Sequence, residues 1–274
     1  MATPTNVNPS AEERTVDVVV IGAGASGLMA ARTLKKAGKS VCVLEARNRV
    51  GGRTWNGKVL DSQGTEHFIE IGGQWISPDQ TRLTELVDEL GLETFQRYRE
   101  GKSVYVSPDG TRHEFEGDTF PTSEETISEM KRLIAELNQL AVEVDANAPW
   151  AHPRAKELDG IPFRDWLEGL SNDAEAIDNI SLYISSGMLT KPSRTFSVLQ
   201  AALMASSAGS FDNLVDEDFL LDKRVAGGMQ SVSITMAEEL GDDVILGSPV
   251  RTLQWATPDP DTADAPNKID ADVR

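Results

Sequence analysis

Three glycines behind a short apolar run constrain the fold of this chain more than any other feature. Residues 18–21, Val-Val-Val-Ile, are an unbroken β-branched run, the pattern of a strand buried on both faces of a parallel sheet. Gly22, Gly24 and Gly27 follow in the spacing G-x-G-x-x-G, and an amphipathic helix comes after them. This order predicts the strand, turn and helix that open a Rossmann-like α/β domain.

A second strand and an acid complete a pattern typical of dinucleotide binding. The strand is predicted over Ser40–Leu44, and Glu45 comes 23 residues after Gly22, close to the spacing of a carboxylate that accepts ribose hydroxyls. The free amides of the first helical turn, around Ala25 and Ser26, would face a diphosphate. A glycine turn alone is common, and Glu45 alone fits a solvated strand end. The combined spacing predicts a dinucleotide site.

The next glycine pair distinguishes between two classes of cofactor. Gly51, Gly52, Arg53 and Thr54 follow the acid, and Arg47 precedes them. A glycine pair with two guanidinium groups suits a backbone folded over a diphosphate, whereas a nicotinamide dehydrogenase would continue into another helix. The pattern therefore favours FAD over NAD, and the alternative for Arg53 is a surface arginine after a turn.

The composition excludes some classes of function. The chain has 274 residues and a formal net charge of −18, so it lacks the basic stripe that nucleic-acid binding needs. This charge suits a cationic substrate and equally suits simple solubility. The one cysteine, Cys42, lies in a buried-type strand, and three His with one Cys predict no metal site. Neither a membrane-spanning run nor a secretory signal is found, so we expect a cytoplasmic protein.

Changes of pattern divide the chain into four parts. Residues 1–14 are predicted to be a disordered tail, and residues 15–90 the first part of the FAD-binding domain. Residues 91–223 predict an inserted, mainly helical substrate lobe whose core includes the apolar stripe of residues 130–144. Residues 224–274 predict the second, incomplete part of the FAD-binding domain.

Local signals add finer predictions. Asn56-Gly57 predicts a turn, and Asp79 is expected to cap a helix over Pro78–Leu90. The polar residues 257–274 predict a loop. The acids of residues 212–222 allow either a site for an ammonium group or a solvated surface.

Two motifs behind the glycine turn carry a resemblance to a known family. They are E-A-R-N-R-V-G-G-R-T over residues 45–54 and G-G-Q-W over residues 72–75, and a third pattern runs from G-G-M-Q at residue 227 to P-V at residue 250. Together they resemble the flavin-containing amine oxidases. The resemblance implies a Rossmann-like FAD-binding domain with an inserted, mainly helical substrate lobe.

The resemblance also assigns residues to the cofactor. The implied FAD contacts are Gly22, Gly24, Ala25, Ser26 and Gly27 at the diphosphate, Glu45 with its neighbour Ala46 at the ribose, Arg47, Gly52, Arg53 and Thr54 over the diphosphate, Gly72, Gly73, Gln74 and Trp75 along the flavin ring, and Val250 at the adenine. For Trp75 the alternative is a buried aromatic under the sheet. Met188 and Leu189 either line a substrate passage or pack in the core.

The implied activity is the FAD-dependent oxidation of a primary amine. Long segments such as residues 207–230 narrow the resemblance to family members that act on putrescine and oxygen and release 4-aminobutanal, ammonia and hydrogen peroxide, a step of polyamine catabolism. No catalytic residue is assigned, and a homodimer is left open.

The length of the family's members adds a further expectation. These proteins continue well beyond 274 residues, so this chain is expected to be an N-terminal portion with reduced or no activity alone. One alternative is a non-catalytic FAD-binding or protein-binding member of the same fold. A second is an NAD-dependent dehydrogenase, which would leave the G-G-R-T and G-G-Q-W segments unexplained.

Overall fold

The structure, a computed structural model, describes residues 14–117, 119–216, 219, 221–255 and 269–273. The strands are β1 (Val18–Ile21), β2 (Val41–Leu44), β3 (Asn56–Leu60), β4 (Glu66–Glu70), β5 (Thr94–Gln96), β6 (Ser103–Val106), β7 (Arg112–Phe115), β8 (Lys223–Val225), β9 (Val244–Ile245), β10 (Val250–Trp255) and β11 (Ile269–Val273). The helices are α1 (Ala25–Lys36), α2 (Thr81–Glu89), α3 (Glu124–Glu143), α4 (Ala155–Asp159), α5 (Phe163–Leu170), α6 (Ala174–Leu182), α7 (Val198–Ser207), α8 (Phe211–Val215) and α9 (Gln230–Leu240).

The chain forms two compact units. The first takes in the chain up to Trp75, then Thr81–Phe95 and the chain from Lys223 onward, and the second takes in Ile76–Gln80 and Gln96–Asp222. The predicted domain boundaries, after residues 90 and 223, lie within five residues of the principal breaks at 95 and 222. The predicted tail, residues 1–14, lies outside the described residues except for Arg14. No helix among the described residues is long and apolar enough to span a membrane.

A parallel sheet in the order β1-β2-β9 organises the first unit. Val20 lies opposite Val43, and Leu44 lies opposite Ile245. α1 packs against β1, β2 and α9, and its buried Arg32 forms an ion pair with Glu239 of α9, which raises the pKa of the guanidinium. The predicted α/β, Rossmann-like arrangement is confirmed.

The burial of β1 differs from the prediction. Residues 18–20 are half-buried and Ile21 is 57% exposed, whereas all four residues of β2 are buried. The difference follows from strand order, because β2 lies between β1 and β9 while β1 is an edge strand among the described residues. An apolar run therefore predicted the strand correctly but not its position in the sheet.

Three local predictions are wrong in detail. Asn56-Gly57 is not a turn but the start of β3, because the Asn56 amide donates to Gln230 Oε1 at 2.7 Å and its side chain donates to the Gly227 carbonyl at 2.7 Å. Asp79 does not cap α2, which begins two residues later at Thr81. Of the predicted loop over residues 257–274, the part at Ile269–Val273 pairs with β10 as an antiparallel strand, and residues 257–268 and 274 lie outside the described residues.

Helices dominate the second unit, as predicted. Ser123 caps α3 by accepting the Thr126 amide at 3.1 Å, and Leu133, Leu137 and Leu140 of the predicted stripe are buried in the helical core. α6 continues into a π-helix over Tyr183–Leu189 that the sequence did not predict. The predicted acids at 217 and 218 lie outside the described residues.

Candidate cofactor site

The first glycine turn joins β1 to the amino end of α1. The Gly22 amide donates to the Leu44 carbonyl at 2.8 Å, which ties the turn to the end of β2. Gly24 precedes α1 and provides no side-chain cap, and the first turn of α1 contains no acidic residue. The amides of Ala25 and Ser26, which are exposed, are therefore available to an anion at the positive end of the helix dipole.

Glu45 lies at the carboxyl end of β2 and is 5% exposed. Its Oε2 accepts the Ala23 amide at 2.8 Å, and its Oε1 accepts the Arg47 amide at 2.9 Å. Its own amide donates to the Ile245 carbonyl at 2.9 Å, and its carbonyl accepts the Ser248 amide at 2.8 Å. Each carboxylate oxygen keeps further acceptor capacity, so the group can also accept hydroxyl donors. The exposed Ala46 lies beside it.

The second glycine turn, residues 51–54, lies directly against the first. The Gly51 amide donates to the Ala23 carbonyl at 2.8 Å. A Cβ built on Gly52 would lie 3.3 Å from the Gly24 Cα, and φ at Gly52 is +57°. A side chain at Gly52 would be strained by this positive φ and would crowd the Gly24 backbone, so glycine suits this position. The structure thus places the predicted diphosphate residues Gly24 and Gly52 side by side.

Arg49 is a site residue that the sequence reasoning missed. Its Nη1 donates to the carbonyls of Val50 at 3.3 Å and Thr54 at 3.4 Å, and its Nη2 donates to the Gly52 carbonyl at 3.1 Å. The guanidinium also lies 4.8 Å from the centre of the Trp55 ring. Arg49 therefore holds the second glycine turn in shape from within. Arg49 is the second arginine of the E-A-R-N-R motif, but the motif does not indicate which of its arginines binds the carbonyls of the second glycine turn.

Gln230, at the start of α9, is a second missed residue. Its Nε2 donates to the Val50 carbonyl at 2.8 Å, and its Oε1 accepts the Asn56 amide at 2.7 Å. The side chain is buried and bridges the residues on either side of the second glycine turn. The G-G-M-Q motif was the available signal, although it did not indicate this contact.

The two predicted arginines differ from Arg49 because they face solvent. Arg47 is 64% exposed, with its Nη1 3.9 Å from Glu45 Oε1, and Arg53 is exposed. The Arg53 carbonyl accepts the Gly73 amide at 3.2 Å, which places Gly72 and Gly73 against the second turn. Both side chains are therefore accessible to a ligand from the solvent.

The remaining predicted residues fall into three places. Gln74 and Trp75 are half-buried, and the Trp75 ring lies 5.2 Å from the Arg224 guanidinium. Val250 begins β10 two residues after Ser248, which is hydrogen-bonded to Glu45. Met188 and Leu189 belong to the second unit.

Met188 and Leu189 lie at the end of the π-helix. Met188 packs against the helical core, and Leu189 both packs there and lines an open groove of about 540 Å³. Both residues therefore contact the helical core, and their place in a substrate passage stays a prediction.

The arrangement fits an adenine dinucleotide by its chemistry. The amino end of α1 offers uncapped amides for a diphosphate, and the buried Glu45 carboxylate has spare acceptor capacity for hydroxyl groups. The two glycine turns carry no side chains at their contact that would block a ligand from the backbone.

Comparison with known proteins identifies the family. Residues 25–272 match the family of flavin containing amine oxidoreductases. Putrescine oxidase of Kocuria rosea is 64% identical over 241 residues, which are 88% of this chain and 49% of that protein. The chain spans about half the length of the curated relatives it matches.

Solved structures agree with this result. A putrescine oxidase bound to putrescine is 57% identical with a TM-score of 0.84, covering 94% of this chain and 55% of the other. Cyclohexylamine oxidase from Brevibacterium oxydans is 30% identical with a TM-score of 0.78, covering 88% of this chain and 52% of the other. The predicted amine oxidase fold is confirmed, as is FAD as the cofactor of the family. The chain belongs to the flavin containing amine oxidoreductase family.

Proposed function

We propose that this chain binds FAD against its two adjoining glycine turns and serves the oxidation of a primary amine, putrescine, which with oxygen and water gives 4-aminobutanal, ammonia and hydrogen peroxide. The observation that carries the proposal is the contact between Gly24 and Gly52 beside the buried carboxylate of Glu45. When bound, FAD supplies the acceptor for the hydride that leaves the α-carbon of the amine.

Each part of the site has a proposed task. The amides of Ala25 and Ser26 hold the diphosphate, and Arg47 and Arg53 approach it from the solvent side. Glu45 accepts the ribose hydroxyls. The residues Gly72, Gly73, Gln74 and Trp75 run along the flavin ring, Ala46 and Thr54 flank the ribose and diphosphate, and Val250 meets the adenine.

The choice of putrescine and oxygen as substrates is supported by the relatives. One is named putrescine oxidase, and one solved relative is bound to putrescine. The net charge of −18 favours the approach of a dication. We expect slow or no turnover by this chain alone, since it spans about half the length of these relatives. A cytoplasmic location and a homodimer stay predictions.

A second candidate is a member of the family that binds FAD or another protein without catalysis. The adjoining glycine turns and the buried Glu45 fit this candidate as well, because they would serve FAD binding with or without catalysis. Peroxide release from putrescine at the rate of a flavin oxidase would exclude this candidate. FAD binding without peroxide release fits both candidates, since slow or no turnover is expected of this chain alone.

The test of the proposal is FAD binding by the purified chain. We expect flavin absorbance at about 450 nm that stays with the protein. Glu45→Ala removes a charged acceptor and should weaken FAD binding by about tenfold or more in a fluorescence titration. His113→Ala is the control, because His113 lies in the second unit on β7. Equal binding by both variants would contradict the ribose assignment.

A further inference from the structure

An ion pair between a buried carboxylate and a half-buried guanidinium lies next to the segment predicted to follow the flavin ring. Glu70 ends β4, two residues before Gly72, and its side chain is 2% exposed. The Arg224 Nε donates to Glu70 Oε2 at 2.9 Å, and the Arg224 Nη2 donates to the same oxygen. The other oxygen, Oε1, accepts the Met229 amide at 2.6 Å. The carboxylate therefore joins β4, β8 and the start of α9.

The guanidinium of this pair also contacts two aromatic rings. It lies 5.2 Å from the centre of the Trp75 ring and 5.7 Å from the centre of the Phe95 ring, distances at which a cation is attracted to an aromatic face. Arg224 thus holds both flanks of residues 72–75, because it binds Glu70 before the segment and Trp75 at its end.

The far side of the segment is held as well. The Gly73 amide donates to the Arg53 carbonyl at 3.2 Å. Residues 72–75 are therefore fixed between the second glycine turn on one side and Arg224 on the other. Since well-packed apolar residues often stabilise a fold as well as a desolvated ion pair does, we assign this pair a role in fixing one geometry.

We propose that Glu70 and Arg224 are positioning residues that hold Gly72–Trp75 in the orientation required by the flavin ring. The proposal rests on the proposed binding of FAD to this chain. Neither residue belongs to the glycine turns that receive the adenosine and diphosphate, so their removal should affect the ring half of the cofactor and spare the ADP half.

The test compares FAD with ADP, which lacks the flavin ring. Arg224→Lys keeps the charge but loses the fork that spans Glu70 and the rings. We expect its dissociation constant for FAD to rise about tenfold while that for ADP changes less than about twofold. The visible circular dichroism of the remaining bound flavin should also change, because the ring loses its fixed surroundings.

A matched control and a second variant keep the test decisive. Arg154→Lys alters an exposed pair with Glu157 and should change neither constant. If Arg224→Lys does not fold, Glu70→Gln keeps the shape of the side chain but removes the charge that pairs with Arg224, and the same selective loss of FAD is expected. Unchanged FAD binding, or an equal loss of FAD and ADP, would overturn the positioning role. A wild-type chain that binds ADP but no FAD would instead refute the proposed function.

Discussion

Gly27 offers the sharpest test of how the first glycine turn is built. The residue lies in the first turn of α1, where the helix passes closest to the end of β1. A Cβ added at Gly27 would lie 2.0 Å from the Gly22 carbonyl oxygen and 3.3 Å from Val20 Cγ1. Because the nearest atom belongs to the backbone, no side-chain rotation relieves the clash, and α1 has to move away from the sheet.

Two opposing effects decide the size of the change in Gly27→Ala. Alanine is favoured over glycine inside a helix by about 1 kcal/mol. Overpacking of a close contact costs about 1–3 kcal/mol or more, and a backbone clash belongs at the upper end of that range. We expect a net loss of about 2 kcal/mol of unfolding free energy, or roughly 4–8 °C in Tm. The FAD affinity should fall as well, since the amides of the turn move with the helix.

Gly169 provides a matched control for this experiment. It lies inside α5 and is exposed, and a Cβ there would meet no atom within 4 Å. Gly169→Ala should therefore show only the helix-propensity gain of about 1 kcal/mol. The assay is urea unfolding followed by far-UV circular dichroism. A Gly27→Ala variant as stable as the wild type would refute the close approach of helix and strand.

The other predictions concern the second turn, a hairpin carboxylate and the cysteine. Gly52→Ala and Gly64→Ala both place a side chain at positive φ, but only the alanine at position 52 crowds the first glycine turn. Only Gly52→Ala should therefore lose FAD affinity in a titration. The Ser107 hydroxyl lowers the pKa of Asp109 to about 2, so the stabilisation by Asp109 is full above its ordinary value of 3.8 and is lost as pH falls through 2. Asp109→Asn should therefore lower the urea midpoint more at about pH 7 than at about pH 3, and an equal effect at both would contradict this. Burial raises the pKa of the Cys42 thiol, so a disulfide reagent should label it only after unfolding, and rapid native labelling would be the opposite result.

The predictable part of the site is the part encoded locally. Residues 18–45 contain both strands, the glycine turn and the acid, and each contact of the glycine turn with Glu45 joins residues less than 30 positions apart. Over so short a range, hydrophobic periodicity and glycine spacing are sufficient to predict the two strands, the glycine turn and the acid. Gly24 and Gly52, which the motifs assign to one diphosphate, lie side by side, although the motifs did not predict their contact.

The unpredicted part depends on contacts between distant segments. Glu70 and Arg224 are 154 residues apart, and Gln230 is 174 residues from Asn56. No spacing rule connects such pairs, and a turn signal such as Asn56-Gly57 is overridden when its amides find partners in another segment. The exposed edge of β1 was missed for the same reason, because strand order is a tertiary property.

The bridge formed by Gln230 has a consequence for how the protein is made. The second glycine turn leaves the ribosome long before Gln230 and β9, the third strand of the parallel sheet, are synthesised. At 5–20 residues per second, the 185 residues between Glu45 and Gln230 take roughly 10–40 s to translate. During that interval the second glycine turn of the nascent chain lacks its hydrogen bonds with Gln230, and the apolar strands β1 and β2 are exposed. Chaperones and proteases therefore have their best access before α9 and β9 are added to the first unit.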